Sequence, residues 1–178
     1  MTNRWLHILL VIGFCIGLGA SCQKAASPVP TPRPAAPDHP YLDHAQPKLQ
    51  TVKLWLGAQE LVTEGATTMT EISTGMMFRK EMAENEAMIF VFGVPHRAAF
   101  YMRNTTLPLS CAYIDSEGVI LEIHDMKPLD ETAITAVSEN VRYVLEVNQG
   151  WFERNKVAVG TVVRSEFGSL QQTFFRRN

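Results

Sequence analysis

The alternation of apolar and polar residues predicts a strand-rich domain that begins near residue 49. Val52, Leu54 and Leu56 lie two residues apart, which is typical of a strand with one buried face. Residues 88–92 are continuously apolar, which indicates a strand buried on both faces. With similar short runs elsewhere, the pattern predicts seven or eight strands, in the segments 51–56, 59–66, 88–92, 100–103, 109–115, 119–126, 141–148 and 162–163.

Helical periodicity is confined to short segments. Thr68 and Glu71 have the spacing of a capping box, and apolar residues follow at helical spacing, so we predict a short helix that ends near Phe78. A second helical turn is expected over 150–155. Strands and helices do not alternate, and small sheets often hide their edges by closing. The predicted fold class is therefore mostly β (α+β): a compact barrel-like sheet with one or two short helices.

The first 22 residues have the pattern of an export signal. Residues 5–18 form an apolar run of about the length of a signal-peptide core and too short to span a bilayer comfortably. The run ends at Cys22 in a sequence similar to a lipobox, which makes Cys22 the candidate lipidation site, although Gly19 stands where a lipobox usually has Leu. There are two alternatives: ordinary signal peptidase cleaves the chain near Ala20 or Ala26, or the segment remains as an uncleaved anchor. We expect a bacterial cell-envelope protein, either a membrane-anchored lipoprotein or a periplasmic or secreted one.

Four segments divide the chain of 178 residues. The signal segment 1–22 is followed by a Pro-rich linker over 23–48, since seven of the ten prolines lie between residues 28 and 47. Such a composition favours an extended, disordered tether. A single β-rich domain is predicted over 49–167, with a loosely held tail over 168–178. His39 and His44 fall in the linker and are interpreted as solvated residues, not metal ligands.

Composition and charge indicate a globular domain and argue against nucleic-acid binding. Hydrophobic residues make up 46% and charged residues 19% of the chain, an ordinary globular composition. From Leu49 onward, 12 Lys and Arg face 16 Asp and Glu, so no basic surface is available for nucleic acid. Cys111 is the one cysteine of the predicted domain and is interpreted as a buried strand residue.

Standard catalytic and cofactor motifs are missing from the sequence. No HExxH, CxxC, phosphate-binding loop or GxSxG occurs, so we predict neither a cofactor nor a metal. Ser110, His124 and Asp125 are the residue types of a hydrolytic triad. Neighbours on a strand point to opposite faces, so Asp125 is poorly placed to orient His124.

The better candidates for a site are polar residues embedded in apolar segments. A charged side chain beside Phe, Met and Val must be paired or solvated. The candidate ligand-binding residues are Arg79, Tyr101, Arg103, Asn104, Thr105, Glu146 and Asn148. We expect at least one arginine to pair with Glu146 and the other to offer its guanidinium to a carboxylate or sulfate-like group. Tyr101 would form a stacking wall, and Asn104 would bond to local backbone.

Three ordered blocks of the sequence resemble the signature of the Domain of Unknown Function 192 family. The segments 74–79, 100–109 and 143–150 are similar to Gly-Leu-Met-x-Arg, Phe-Trp-Met-Lys-Asn-Thr-x-x-Pro-Leu-Asp and Val-Leu-Glu-x-Asn-x-Gly. Leu, Trp, Lys and Asp of the family pattern are replaced by Met76, Tyr101, Arg103 and Ser110. The resemblance implies a small, strand-rich and often exported domain, and it brings no established activity.

Two functional hypotheses follow. The first is a non-catalytic envelope module that binds a cell-wall glycan, a peptide or an envelope protein. The alternative is an enzyme of unrecognised type that uses Arg79, Asn104 and Glu146 on an envelope substrate. A purely structural role is a third reading. Glu146 distinguishes them, since a catalytic acid should face an open cleft whereas a structural one should be buried against an arginine.

Overall fold

The computed structural model describes residues 39–175 and contains ten strands and three short helices in that range. The strands are β1 (Thr51–Leu56), β2 (Gln59–Ala66), β3 (Glu86–His96), β4 (Ala99–Phe100), β5 (Leu109–Ile114), β6 (Ile120–Met126), β7 (Ile134–Thr135), β8 (Val141–Asn148), β9 (Val163–Ser165) and β10 (Gly168–Ser169). The helices are α1 (Met69–Thr74), α2 (Trp151–Arg154) and α3 (Leu170–Phe175). The mostly β class is therefore confirmed.

Eight of the strands form one sheet in the order β10-β9-β1-β2-β3-β8-β5-β6, and β4 pairs with β7. Every pair in the large sheet is antiparallel except β2 with β3, whose crossover contains α1. The sheet is largely open, and the closure expected of the predicted barrel-like sheet is not shown. In the described range an isolated bridge between Val119 and Val162 connects the residue before β6 with the residue before β9. The strand at one edge of the sheet, β10, has only two residues. Little unpaired backbone is therefore exposed at this edge, although the sheet is open.

Two apolar clusters cover the two faces of the sheet. In β3, Ile89 and Val91 belong to one cluster, whereas Met88 and Phe90 belong to the other. This explains the uninterrupted apolar run, because successive side chains of a strand point to opposite faces. The first cluster also buries Trp151 and Phe152 of α2, as the sequence predicts, together with Leu170 of α3.

Local turn chemistry agrees with the sequence patterns. Gly57 and Gly118 adopt positive φ angles of 66° and 85° in the β1–β2 and β5–β6 turns. Thr68 and Glu71 form the predicted capping box of α1. The helix ends at Thr74, earlier than predicted, because Gly75 leaves the helical region with φ of 47°. The chain then passes through turns to Phe78.

The two ends of the described range differ from the predicted boundaries. In the segment 39–48, assigned to a disordered linker, the buried side-chain amide of Gln46 donates to the carbonyls of Glu71 and Gly75. In the predicted loose tail, α3 buries Leu170 in the core. Local composition does not reveal these long-range contacts. The signal segment, Cys22 and residues 23–38 lie outside the described residues, as do 176–178.

No helix within residues 39–175 is long and apolar enough to cross a membrane.

Candidate functional site

A cavity of about 420 Å³ opens on the face of the sheet that carries Met88 and Phe90. Its walls come from the segment 39–41, from α1 and the turn after it, from β3 and β4, and from the loop after β4. The lining residues are His39, Pro40, Tyr41, Ile72, Ser73, Thr74, Gly75, Met76, Met77, Phe90, Phe92, His96, Ala99, Phe100, Tyr101, Arg103, Thr105 and Glu146. Most of these side chains are apolar or aromatic, so the few polar groups determine what the cavity can recognise.

Close packing between α1 and the sheet shapes one wall. A Cβ atom added at Gly75 would lie 3.1 Å from the Phe90 ring, and Gly75 has a positive φ, so a glycine is required here. The tight turn places Met76 and Met77 against the cavity. Phe90 and Phe100 meet edge to face with ring centroids 4.9 Å apart. The wall is therefore a packed apolar surface.

Glu146 is the buried acidic group of the cavity. It lies on β8, in register with Met88 of β3 on one side and Cys111 of β5 on the other. The residue is 5% exposed, and its Oε2 atom has no hydrogen-bond partner. Burial raises the pKa of Glu146 to about 8, because desolvation penalises the charged form. The carboxyl group is thus largely protonated at neutral pH.

The prediction that an arginine pairs with Glu146 is wrong for both arginines. Arg79 donates to both carboxylate oxygens of Glu64, at 2.6 and 2.8 Å, and the two side chains are only 9% and 10% exposed. Glu64 also accepts from the backbone N–H of Leu49 at 2.6 Å. The parallel pairing of β2 with β3 brings Glu64 toward the end of α1, and this crossover is not visible in the local sequence.

Arg103 lies at the rim of the cavity and is bound to Glu131. Its Nε and Nη2 atoms donate to Glu131 Oε2 at 2.9 and 2.7 Å, and this carboxylate raises the pKa of Arg103. The guanidinium carbon lies 5.2 Å from the ring centroid of Tyr101 and 6.0 Å from that of Tyr41. Tyr101 therefore lies beside a guanidinium that Glu131 already engages.

Four of the seven predicted site residues line the cavity: Tyr101, Arg103, Thr105 and Glu146. The other three do not line it and serve local structure.

Asn104 and Asn148 hold loops in place. Asn104 adopts a positive φ of 53°, a conformation that Asn tolerates better than most residues. Its backbone carbonyl, not the predicted side chain, makes the connection, by accepting from Phe78 N–H at 2.8 Å. Asn148 donates its side-chain amide to the carbonyls of Met82 and Ala83 at 3.2 and 3.0 Å.

The three triad-type residues do not form a catalytic triad. Ser110 Oγ donates to Asp125 Oδ1 and accepts from Gly150 N–H at 2.8 Å. His124 Nε2 instead contacts Glu122 Oε2 at 3.0 Å. Ser110, which replaces the Asp of the family pattern, therefore ties β5 to β6 and to the start of α2.

Cys111 is a buried strand residue, as predicted. Burial raises the pKa of its thiol, so the thiol remains protonated. Within the described part of the chain, no three His, Cys, Asp or Glu side chains are grouped closely enough to hold a metal ion.

Sequence reasoning missed the apolar and aromatic lining of the cavity. Met76, Phe90 and Phe100 have the spacing of core residues, and all three do contribute to a core cluster. The cavity arises because the packing of that cluster is incomplete, which periodicity cannot show. His39 and Tyr41 were missed because the Pro-rich composition around them suggested a tether. Their rings stack at 3.6 Å.

Comparisons with known proteins agree with the three sequence blocks. The chain is similar to a crystal structure of a candidate transcription regulator from Sinorhizobium meliloti 1021, with 31% identity, a TM-score of 0.64, and 68% of this chain and 98% of that chain covered. It is also similar to a protein of unknown function from Novosphingobium aromaticivorans DSM 12444, with 33% identity, a TM-score of 0.62, and coverage of 65% and 86%. No curated protein matches. The family profile for an uncharacterised ACR matches residues 52–165, and the chain therefore belongs to the Domain of Unknown Function 192 family.

Proposed function

We propose that the domain is a non-catalytic binding module that holds a small organic group in the cavity beside Glu146. The observation that carries this proposal is the Glu146 carboxyl group, which lines a cavity of about 420 Å³, forms no ion pair among the described residues, and has a buried Oε2 atom without a hydrogen-bond partner. Most buried polar atoms in proteins are hydrogen-bonded, so an unpaired carboxyl group beside a cavity is a candidate contact for a polar group of a ligand. The volume also falls within the usual range of small-molecule sites.

The cavity accommodates one chemical group rather than a polymer. A cell-wall glycan, a peptide or an envelope protein, the three ligand classes considered from the sequence, would therefore insert a single side group. Tyr101 and Arg103 at the rim would contact the portion that stays outside. This arrangement agrees with a recognition site in which buried contacts give affinity and exposed aromatics guide entry.

Binding can be tested by filling the cavity from α1. Ile72 lines the cavity, whereas Met69 on the same helix is exposed and does not. We expect Ile72→Trp to abolish ligand-observed NMR signals from a small-fragment mixture, and Met69→Trp to preserve them. Equal loss in both variants, or equal retention, would show that the fragments bind elsewhere.

An enzyme remains the second candidate, because a carboxylic acid that is protonated at neutral pH is suited to act as a general acid. Arg79 and Asn104 are not catalytic residues in this enzyme hypothesis, since both make structural contacts outside the cavity. The fate of a bound ligand separates the two candidates. Recovery of the ligand unchanged after prolonged incubation supports binding, whereas conversion that is lost in Glu146→Gln supports catalysis.

The envelope location rests on the sequence of the leader. The apolar run over 5–18, Cys22 and the Pro-rich stretch support export and attachment to a membrane through lipid on Cys22. A Cys22→Ala variant should leave the membrane fraction and lose a metabolically incorporated lipid label. If the variant partitions with membranes as the parent does, the lipoprotein hypothesis is wrong and an uncleaved helical anchor is the better explanation.

The transcription-regulator description of the Sinorhizobium meliloti structure finds no support in the charge of this chain. Its domain from Leu49 onward is acidic, and nucleic-acid binding requires a basic surface.

A further inference from the structure

We propose, on the basis of the binding function above, that the group held in the cavity is an organic ammonium whose positive charge pairs with the Glu146 carboxylate. This assigns the class of ligand: an amine attached to an apolar body small enough for the cavity.

The charges around the cavity favour a cation over an anion. Glu146 forms no ion pair among the described residues. The arginine of the cavity wall, Arg103, is neutralised by Glu131 at 2.7 Å. An anionic ligand would thus enter beside a buried acid without a free cation to receive it. An ammonium supplies the missing counter-charge, and an ion pair completed in a buried site gains more than one in water.

The remaining lining provides a second attraction for a cation. Phe90, Phe92 and Phe100 surround the cavity, and Tyr41 and Tyr101 stand at its entrance side with Arg103. Aromatic faces attract ammonium groups, and Tyr101 and Tyr41 already lie near one cation of the protein itself. The carboxyl group of Glu146, which lines the cavity, offers the acceptor that an N–H of the ligand requires.

A neutral ligand is the competing occupant, because the protonated acid can donate a hydrogen bond to a carbonyl or hydroxyl oxygen. The two occupants respond to pH in opposite directions. An ammonium needs the ionised carboxylate, so its affinity rises with pH, whereas a neutral acceptor needs the acid form and weakens.

The other titratable groups around Glu146 must be separated from this effect. Its register partners on the adjacent strands are Cys111 of β5, whose thiol stays protonated because burial raises its pKa, and Met88 of β3, which has no ionisable group. The other titratable or charged groups of the cavity wall are His39, Tyr41, His96, Tyr101 and Arg103. Only the dependence that disappears in Glu146→Gln reports on Glu146.

Three matched probes test the proposal on the full-length protein in detergent micelles: 2-phenylethylamine, 2-phenylethanol and 3-phenylpropanoate. They share an aromatic body and differ in being cationic, neutral and anionic. Affinities are measured by NMR titration at about pH 6 and about pH 8.5, on either side of the region in which Glu146 ionises. The matched control is Glu131→Gln, which removes a carboxylate at the rim and leaves Glu146 intact.

We expect the amine to bind most tightly and to gain about tenfold or more in affinity between the two pH values. Glu146→Gln should abolish most of this gain, and Glu131→Gln should preserve it. If 2-phenylethanol binds better than the amine and weakens as pH rises, the ammonium proposal is overturned while the binding function stands. If none of the three probes nor the fragment mixture binds, both proposals fail. Comparison of the probes on the unmodified protein keeps the test valid if Glu146→Gln does not fold.

Discussion

At the scale of single residues, the buried acid of the cavity makes folding stability depend on pH. The unfolded chain releases the Glu146 proton near the ordinary value of 4.5, whereas the folded protein retains it until about pH 8. The folded state is therefore favoured most below pH 4.5, and this contribution is lost as pH rises through 8. A shift of this size corresponds to on the order of 5 kcal/mol.

Glu146→Gln should remove this dependence. We expect the variant to be more stable than the parent by several kcal/mol near pH 9 and to match it within about 1 kcal/mol near pH 5. Urea unfolding across this range measures the difference. Glu131→Gln, an exposed acid, should give a nearly flat difference. A pH-independent difference for Glu146→Gln would contradict an unpaired acid.

The two arginines of the family blocks should differ in their effect on stability. Arg79→Ala leaves Glu64 buried without its partner, and breaking such a pair costs about 3–5 kcal/mol. Arg103→Ala removes an exposed ion pair, whose usual contribution is at most about 1 kcal/mol. Equilibrium unfolding of both variants checks this. Similar losses for the two would mean that the Arg79 pair is effectively solvated.

At the scale of secondary-structure elements, α3 should be part of the cooperative fold. Leu170 is 1% exposed and packs in the core cluster, so Leu170→Ala should cost about 2–5 kcal/mol. Phe167, close by in sequence, is 58% exposed, and Phe167→Ala should change stability by at most about 0.5 kcal/mol. A negligible loss in Leu170→Ala would restore the loosely held tail that composition suggested.

The sequence predicts elements well where the cause is local. Alternation along β1 and the capping box at Thr68 depend on neighbouring residues, and both are found. The open sheet depends on distant contacts. Parallel pairing of β2 with β3 and the pairing of β4 with β7 join segments that periodicity treats separately.

At the scale of the whole molecule, the sequence predicts the polar part of the site better than its shape. Tyr101, Arg103, Thr105 and Glu146 attract notice because they interrupt apolar segments, and the structure brings them to one cavity. Which acid pairs with each arginine depends on contacts between distant segments, so the local sequence does not reveal it. Arg79 pairs with Glu64 and Arg103 pairs with Glu131, so neither arginine pairs with Glu146.

The segment 39–43 gives the cavity a mechanical property. It is part of the cavity wall, and it is also the stretch through which the domain continues into the N-terminal chain. Its contacts include the stack of His39 on Tyr41 and the hydrogen bond from Leu42 N–H to Thr74 Oγ1 at 3.0 Å. Gln46, a few residues further on, is buried and held by two backbone carbonyls. Tension applied to the chain at residue 39 would thus act on the cavity wall before it acts on the sheet.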